Sequence, residues 1–255
     1  MWGLDDKHVL ITGAAGGIGR ALVAAFRGAG ARITACDLDA EALDALEGLD
    51  KTEKLAFDLT DRGGCAGAVE SATARQGAID VLVANAGFAR AESLANLDGE
   101  HWDREIAGNL TGAYNITAPV LDGMRGHGGA IVFTSSVNAL QHFGNPAYSA
   151  AKAGMLAFAR AIAVEEGPHG IRANCVLPGS VRTPAWNHRL AADPTLLDRV
   201  VPNYPLNRLV TAEEVANAAL FLASPLSSGI TGVALPVDGG LTAGHLRFIR
   251  DALGD

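Results

Sequence analysis

The chain has 255 residues, of which 49% are hydrophobic and 19% charged, with a formal net charge of -8. This apolar content is enough for one large core and excludes a disordered or fibrous protein. No run of Lys or Arg forms a basic stripe, which argues against nucleic acid and anionic membranes as partners. The chain shows neither a signal-peptide pattern nor an apolar stretch long enough to span a bilayer, so we expect a soluble protein.

The cysteines and histidines show no metal-binding or disulfide pattern. Cys36, Cys65 and Cys175 are far apart, odd in number and lack CxxC spacing, and the seven histidines show no HExxH motif. Separated thiols of this kind are typical of reduced cysteines in the cytosol. We therefore expect a cytoplasmic protein without a metal site.

Short apolar segments alternate with longer amphipathic segments along the whole chain. Continuous apolar strands separated by helices are typical of a parallel sheet that is buried on both faces. No composition break divides the chain, so the sequence predicts a single α/β domain, 1–255, with a doubly wound, Rossmann-like parallel sheet. In chain order, we predict strands at 8–12, 32–37, 54–58, 79–87, 130–136, 171–179 and 232–240, and helices at 17–29, 61–76, 98–125, 148–166 and 211–223.

One long stretch, 180–210, has no clear periodicity and contains four of the ten prolines. Stretches of this length in compact domains are often lids over a functional site. The segment carries several large apolar side chains that could pack over a ligand, so we predict a substrate lid. These side chains are Trp186, Leu196, Leu197, Tyr204 and Leu206.

The segment "ITGAAGGIGR", residues 11–20, follows the first strand and opens the first helix. Glycines at 13, 17 and 19 permit a tight turn and let the backbone approach a pyrophosphate at the helix N-terminus. The second strand ends at Asp37, at the spacing where a carboxylate meets the ribose hydroxyls of an adenosine. Since this carboxylate would repel a 2′-phosphate, the sequence predicts NAD rather than NADP. Asp58 and Asn85-Ala86-Gly87, at the ends of the third and fourth strands, would line the same edge.

Tyr148 and Lys152 lie four residues apart in a predicted helix and therefore share one face. A free phenol has a pKa near ~10 and is a poor base at neutral pH, but a neighbouring ammonium favours the phenolate. We expect Lys152 to lower the pKa of Tyr148 and make it a general acid/base. Ser136, after the fifth strand, could hold a substrate oxygen and stabilise charge on it.

The ordered set of motifs resembles the short-chain dehydrogenase/reductase family from about residue 5 to residue 241. The resemblance implies that Tyr148 is the general acid/base, that Lys152 also holds the nicotinamide ribose, and that Asn109 organises a water in the proton relay. It implies further cofactor contacts at Ile18 and Leu59, and a homotetramer. Pro178-Gly179 and Thr183 resemble the family's segment that contacts the nicotinamide carboxamide, and Val181 is a further expected cofactor contact. The motifs are Thr12-Gly13-xxx-Gly17-x-Gly19, Asp58, Asn85-Ala86-Gly87, Asn109, a serine after the fifth strand, Tyr148-xxx-Lys152 and Pro178-Gly179-xxx-Thr183.

Two positions depart from the family pattern. Position 84 is Ala where the family usually has Asn, and the interval between Ser136 and Tyr148 is one residue shorter than in many members. Ser135 therefore competes with Ser136 as the catalytic serine. We favour Ser136, with a shortened loop after it.

The motifs predict an NAD(H)-dependent oxidoreductase that interconverts a secondary alcohol and a ketone. Alternatives are a 3-oxoacyl-carrier-protein reductase and a non-catalytic dinucleotide sensor; a hydrolase based on the SxxK match at 149–152 lacks the SDN and KTG elements. Both hydroxyl-binding and aromatic side chains are expected near the site, so the sequence does not identify the substrate class. The tail 242–255 could reach a neighbouring subunit's active site. The candidate substrate residues are Asn138, His142, Phe143 and Trp186, with Phe88, Asn145 and His188 nearby.

Overall fold

The computed structural model describes residues 2–46, 52–89 and 93–254, and within them the side chains of 185 and 187–189, including that of His188, are outside the description. The main sheet has seven parallel strands in the order β3-β2-β1-β4-β5-β6-β9. This confirms the predicted doubly wound fold. The strands are β1 His8–Thr12, β2 Arg32–Asp37, β3 Thr52–Ala56, β4 Val81–Ala84, β5 Gly129–Thr134, β6 Ile171–Pro178 and β9 Ala234–Val237.

Helices pack on both faces of this sheet, and a small parallel pair lies outside it, formed by β7 Val181–Arg182 and β8 Val210–Thr211. Among the described residues, no helix combines the length and hydrophobicity needed to cross a membrane. The helices are α1 Gly17–Gly28, α2 Ala40–Asp44, α3 Arg62–Gln76, α4 Gly99–Ile106, α5 Gly112–Met124, α6 Pro146–Glu165, α7 Ala185–Ala192, α8 Leu196–Val200, α9 Ala212–Ala223 and α10 Leu246–Leu253.

The sheet is covered by apolar residues on both faces because successive side chains of a strand point in opposite directions. In β1, Val9 and Ile11 belong to the core that includes α1 and α9, whereas Leu10 belongs to the core on the other face. All three side chains are fully buried. The strand thus anchors both helical layers, and its carboxyl end is held rigidly.

From β1 the strands are added outward on one side, as β2 and β3, and the chain then returns to add β4 on the other side of β1. In open parallel sheets, ligands bind outside the carboxyl ends of the strands at such a switch point. We therefore expect a ligand to bind at the loops that follow Thr12, Asp37 and Ala84.

The helix predicted at 98–125 is interrupted. α4 ends at Ile106, a π-helical turn spans Ala107–Thr111, and α5 begins at Gly112. Single π turns inside helices often occur at functional sites because they displace side chains from the regular register. Here the turn contains Asn109, whose side chain is fully buried.

The segment 180–210, for which the sequence predicted no regular element, contains β7, α7, α8 and the start of β8. Trp186, Tyr204 and Leu209 form a small separate apolar cluster, against which Leu196 and Leu197 pack. Leu206, which we expected to pack with them, is 61% exposed. α10 is a further difference, since its sequence predicted no defined element.

Candidate active site

The turn between β1 and α1 can be formed only by small residues. Gly13 has a φ of 64°, in the left-handed region that favours glycine. A Cβ on Gly19 would lie 1.9 Å from the carbonyl oxygen of Gly13, and one on Gly17 would lie 2.7 Å from the side chain of Thr183. The glycine pattern therefore reflects close backbone packing at the N-terminus of α1, with Thr183 directly above it.

The ends of β1 and β4 are tied together by hydrogen bonds from Asn85 and Ala86. Asn85 Nδ2 donates to the carbonyl oxygens of Thr12 and Gly13, at 3.1 and 3.2 Å. Thr12 Oγ1 accepts from the backbone N–H groups of Asn85 and Ala86, each at 3.1 Å. These bonds fix the segment 85–87 beside the glycine turn.

A cavity of about 970 Å³, which we call the Asp37 cavity, lies over this turn. Asp37 Oδ2 accepts from the backbone N–H of Ala15, and Oδ1 accepts from Leu38 and Asp39. The carboxylate is thereby held at the cavity wall. The predicted cofactor residues in this wall are Gly13, Gly17, Ile18, Gly19, Asp37, Asp58, Leu59, Asn85, Ala86 and Gly87.

A second cavity of about 1160 Å³, the Tyr148 cavity, continues from the first. Ile18, Asn85, Gly87, Phe88 and Thr183 line both cavities, so the two form one cleft along the carboxyl ends of the strands. Its wall also contains the predicted residues Ser136, Tyr148, Lys152, Pro178, Gly179 and Val181.

Tyr148 and Lys152 face each other in this second cavity. The Lys152 Nζ atom lies 5.5 Å from the centre of the Tyr148 ring and donates a hydrogen bond to the carbonyl oxygen of Thr134 at 2.9 Å. Ser136 lines the same cavity, and its hydroxyl acts to lower the pKa of the Tyr148 phenol. A phenol, a hydroxyl and an amine thus converge on one point of the cleft.

Burial controls the protonation of both groups. It raises the pKa of the Tyr148 phenol, against the opposing effect of the Ser136 hydrogen bond, and the charge of Glu105 raises it further. Burial also lowers the pKa of Lys152 to about 8. The pKa of Tyr148 is thus raised, whereas we expected Lys152 to lower it, because desolvation of the phenol is the dominant effect.

Asn109 connects the π-helical turn to the loop after β4. Its Nδ2 donates to the carbonyl oxygen of Phe88 at 2.9 Å and to Glu105 Oε2 at 3.0 Å, and its Oδ1 accepts from the Phe88 backbone N–H. A Cβ on Gly87 would lie 2.6 Å from Asn109 Oδ1 and 3.1 Å from Lys152 Nζ. Asn109 therefore lies just behind the cavity wall, adjacent to Lys152.

The two candidate serines have different surroundings. Ser135 Oγ is buried and donates to the backbone carbonyl of Lys152 at 3.0 Å. Ser136 lines the Tyr148 cavity and contacts the phenol. This geometry favours Ser136 as the group that meets a substrate oxygen, and gives Ser135 a role in holding α6 against β5.

The candidate substrate residues are divided in the same way. Asn138, Phe143 and Trp186 line the Tyr148 cavity, together with Phe88 and Asn145. His142 is exposed and does not line it, so the structure gives no support to a role in substrate binding. Phe143, the next residue, lines the cavity and is 41% exposed.

Known proteins share both the sequence pattern and the fold of this chain. A family model described as enoyl-(acyl carrier protein) reductase matches residues 13–242. The chain belongs to the short-chain dehydrogenase/reductase family. A solved oxidoreductase of this family from Burkholderia thailandensis superimposes with a TM-score of 0.92 at 44% identity, covering 98% of each chain.

Two curated relatives have more specific names. The chain is 41% identical to the 3-oxoacyl-acyl-carrier-protein reductase FabG of Thermotoga maritima, over 93% of this chain and 98% of the relative. It is 37% identical to the D-threitol dehydrogenase of Mycolicibacterium smegmatis, over 94% of each. Both are oxidoreductases, and their substrates differ.

Short-chain dehydrogenases/reductases use a nicotinamide dinucleotide, and the cleft fits one. α1 begins at Gly17 without a side-chain cap, so its first N–H groups are available to an anion such as a pyrophosphate. The absence of side chains at Gly13 and Gly17 leaves the backbone open to close approach. Asp37 offers acceptor atoms for ribose hydroxyls at one end of the cleft.

The Gly19→Ala variant of this dehydrogenase/reductase should be destabilised and should lose cofactor affinity. The added Cβ overlaps the carbonyl oxygen of Gly13 and forces the turn to shift, at a cost of about 3 kcal/mol. Urea unfolding and NADH titration measure the two effects. Gly28→Ala is the matched control, because Gly28 lies in the same helix with no atom within 4 Å of the added Cβ. Equal stability of the two variants would contradict this interpretation of the turn.

Lys152→Met should stabilise the apo-enzyme while it removes activity. Since folding lowers the pKa of Lys152 from 10.5 to about 8, its charge costs about 3 kcal/mol of stability below pH ~8. Loss of the bond to Thr134 offsets about 1 kcal/mol, which leaves a rise in Tm of several degrees at pH 7. The difference in Tm between Lys152→Met and the wild type should shrink as the pH rises from about 8 to 10.5. A lower Tm for the variant at pH 7 would contradict this.

Sequence reasoning missed several residues of the cleft. Leu38, which is 69% exposed, and Arg104 line the Asp37 cavity. Glu105 is buried behind Asn109, four residues earlier in the chain, and that helical spacing was the available signal. The tail, whose reach to a neighbouring subunit stays a prediction, helps to line the Tyr148 cavity of its own chain through His245, Leu246, Arg247, Phe248 and Asp251.

Proposed function

We propose that the protein is an NAD(H)-dependent oxidoreductase that interconverts a secondary alcohol and a ketone, with Tyr148 as the general acid/base. One observation carries the proposal: Tyr148, Ser136 and Lys152 meet in a cavity continuous with the glycine turn. We assign the cofactor contacts to the residues that line this cleft, namely Gly13, Gly17, Ile18, Gly19, Asp37, Asp58, Leu59, Asn85, Ala86, Gly87, Tyr148, Lys152, Pro178, Gly179, Val181 and Thr183.

The protein groups supply the proton chemistry of this reaction, and the bound nicotinamide takes up or delivers the hydride. In ketone reduction, Tyr148 donates its proton to the oxygen as negative charge develops there. Ser136 donates a hydrogen bond to the same oxygen and stabilises that charge. In alcohol oxidation, the phenolate accepts the proton.

Lys152 supports this step through its charge. With a pKa of about 8, its amine is protonated at neutral pH. The ammonium stabilises the phenolate left after proton donation, because opposite charges at this separation attract strongly in a desolvated cleft. We assign Asn109 to the water relay that would reload Tyr148 with a proton.

The preference for NAD over NADP rests on Asp37. Its carboxylate accepts three backbone N–H bonds and lies at the cavity wall. In the part of the chain that the structure describes, no Lys or Arg forms an ion pair with it. Its negative charge therefore favours ribose hydroxyls and disfavours a 2′-phosphate.

A 3-oxoacyl-carrier-protein reductase is the second candidate, since the Thermotoga relative carries that name at 41% identity. Both candidates share the proton chemistry at Tyr148. They differ in the cofactor and in the group attached to the ketone. The aromatic side chains of Phe143 and Trp186 in the wall favour a small substrate that is held inside the cavity.

A substrate panel separates these candidates. The purified protein is given NAD with secondary alcohols, including sugar alcohols, and NADH or NADPH with acetoacetyl-CoA, and the cofactor absorbance is followed. We expect turnover of at least one free alcohol with NAD. Turnover of the acyl thioester with NADPH alone would favour the second candidate, and no turnover in either arm would favour a dinucleotide sensor.

We further propose a cytoplasmic homotetramer in which 180–210 acts as the substrate lid. Cys36, Cys65 and Cys175 are buried free thiols, as in a reducing compartment. Trp102 on α4 and Tyr114 on α5 are 40% and 44% exposed, and such aromatic side chains are enriched in subunit interfaces. Light scattering of the purified protein gives the assembly mass and tests the tetramer.

A further inference from the structure

Asn138 lies two residues after Ser136 and is bonded to it by both its backbone and its side chain. The Asn138 backbone N–H donates to Ser136 Oγ at 3.1 Å, and the Ser136 hydroxyl donates to Asn138 Oδ1 at 3.4 Å. The Ser136 hydroxyl is therefore held by Asn138 in the cavity that Tyr148 also lines.

The other end of the Asn138 side chain is fixed to the loop that leads into α6. Its Nδ2 donates to the Gly144 carbonyl oxygen at 2.8 Å and to Ser149 Oγ at 3.1 Å. Both amide protons are thus engaged, which requires Oδ1 to point toward Ser136. Little bonding capacity remains for a substrate hydroxyl, so the expectation that Asn138 binds substrate is replaced by a different role.

The loop 140–145 needs such a brace because its backbone is unusual. Gly144 has a φ of 89°, and Asn145, which precedes α6, has a φ of 54° in the left-handed region. A non-glycine residue in that region persists only where the surroundings hold it in place. The same loop connects Ser136 to Tyr148 along the chain.

We propose that Asn138 is a positioning residue: its bonds to the 140–145 loop fix its side chain, and the fixed side chain holds Ser136 Oγ in place, so that the Ser136 O–H exchanges its acceptor, Asn138 Oδ1, for the reacting oxygen when substrate binds. The inference rests on the proposed function, because it gives Ser136 its role at the substrate oxygen. Asn138 acts only through Ser136 and the loop, and it does not touch the reacting atoms.

A double-mutant cycle with Ser136→Ala tests this role. Asn138→Leu removes the amide at similar volume, and we expect kcat to fall about tenfold, since one positioned hydrogen bond is worth about 1.4 kcal/mol. The KM for NAD should stay within about twofold of the wild type, because the Asp37 cavity is untouched. In the Ser136→Ala background, Asn138→Leu should change kcat less than about twofold, since the group it positions is gone.

Two outcomes would overturn the proposal: an unchanged kcat for N138L, or a full tenfold loss on top of Ser136→Ala. Asn138→Ala is the second variant if N138L does not fold, with the same expectations. His142→Ala is the matched control in the same loop, because its side chain is exposed and outside the cavity, and its kcat should be unchanged.

Crystal structures of the wild type and of N138A provide a readout that needs no substrate. We expect Ser136 Oγ in the variant to lose its single position beside Tyr148, and residues 144 and 145 to shift. An unchanged Ser136 rotamer and loop would overturn the positioning role. If the wild type turns over no compound of the panel, the proposed function fails, and the crystal structures still decide this inference.

Discussion

We expect the Tyr148→Phe enzyme to bind NADH with the affinity of the wild type and to lose at least about 10³-fold in kcat. The phenol oxygen is the only atom removed, so the ring and its contacts remain while proton transfer to the substrate oxygen is lost. The variant also removes the partner of the Ser136 hydroxyl. Fluorescence titration of NADH and steady-state rates on the substrate identified in the panel measure the two effects separately.

Tyr114→Phe is the matched control for this experiment. Tyr114 packs against Phe158 with ring centres 5.9 Å apart, lies 44% exposed on α5 and does not line the cleft. Its rate should equal that of the wild type. Retained activity in Tyr148→Phe would contradict the assignment of the acid/base, whereas loss of NADH binding would show that the phenol acts in cofactor binding instead.

Asp37→Asn should weaken NAD and reduce the discrimination against NADP. A carboxylate that accepts hydrogen bonds from ribose hydroxyls contributes about 1.5–3 kcal/mol, which corresponds to a loss of about 10- to 100-fold in kcat/KM for NAD. The kcat/KM for NADP should stay constant or rise, because the repulsion of the 2′-phosphate is removed. The ratio of the two kcat/KM values is the measurement.

Asp39→Asn controls for the general loss of a negative charge in this region. Asp39 lies two residues further along, lines the same cavity and caps α2 by accepting from Ala42, which Asn can also do. Its NAD-to-NADP ratio should change less than about threefold. If the two variants shift the ratio equally, the preference arises from overall charge, and Asp37 loses its specific role.

The sheet and its ligand-binding edge were predictable because parallel strands leave a strong apolar signal. "HVLIT" and "RITACD" predicted β1 and β2 with the observed bounds. Since all carboxyl ends of such strands meet at one edge, the sequence alone placed Asp37 and the segment 85–87 at the same edge of the sheet. The third strand was placed two residues late, as 54–58 rather than Thr52–Ala56, because Phe57 and Asp58 belong to the loop.

Features that depend on long-range contacts were not predictable. The side chain of Asn109, in the π-helical turn, bonds to the backbone of Phe88, 21 residues away, and the sequence does not reveal this contact. The bonds of Asn138 to Gly144 and Ser149 depend on the loop conformation, which its position after Ser136 in the sequence does not reveal. The direction of the Tyr148 pKa depends on its burial, which sequence spacing does not reveal.

A crystal structure with NADH tests most directly the claim that one cleft brings a nicotinamide to Tyr148 and Lys152. We predict the adenosine ribose at Asp37, the pyrophosphate at the N-terminus of α1, and the nicotinamide ring against Tyr148 and Ser136. Lys152 should reach the second ribose. A dinucleotide bound outside this cleft, or a nicotinamide ring turned away from Tyr148, would contradict the proposed enzyme.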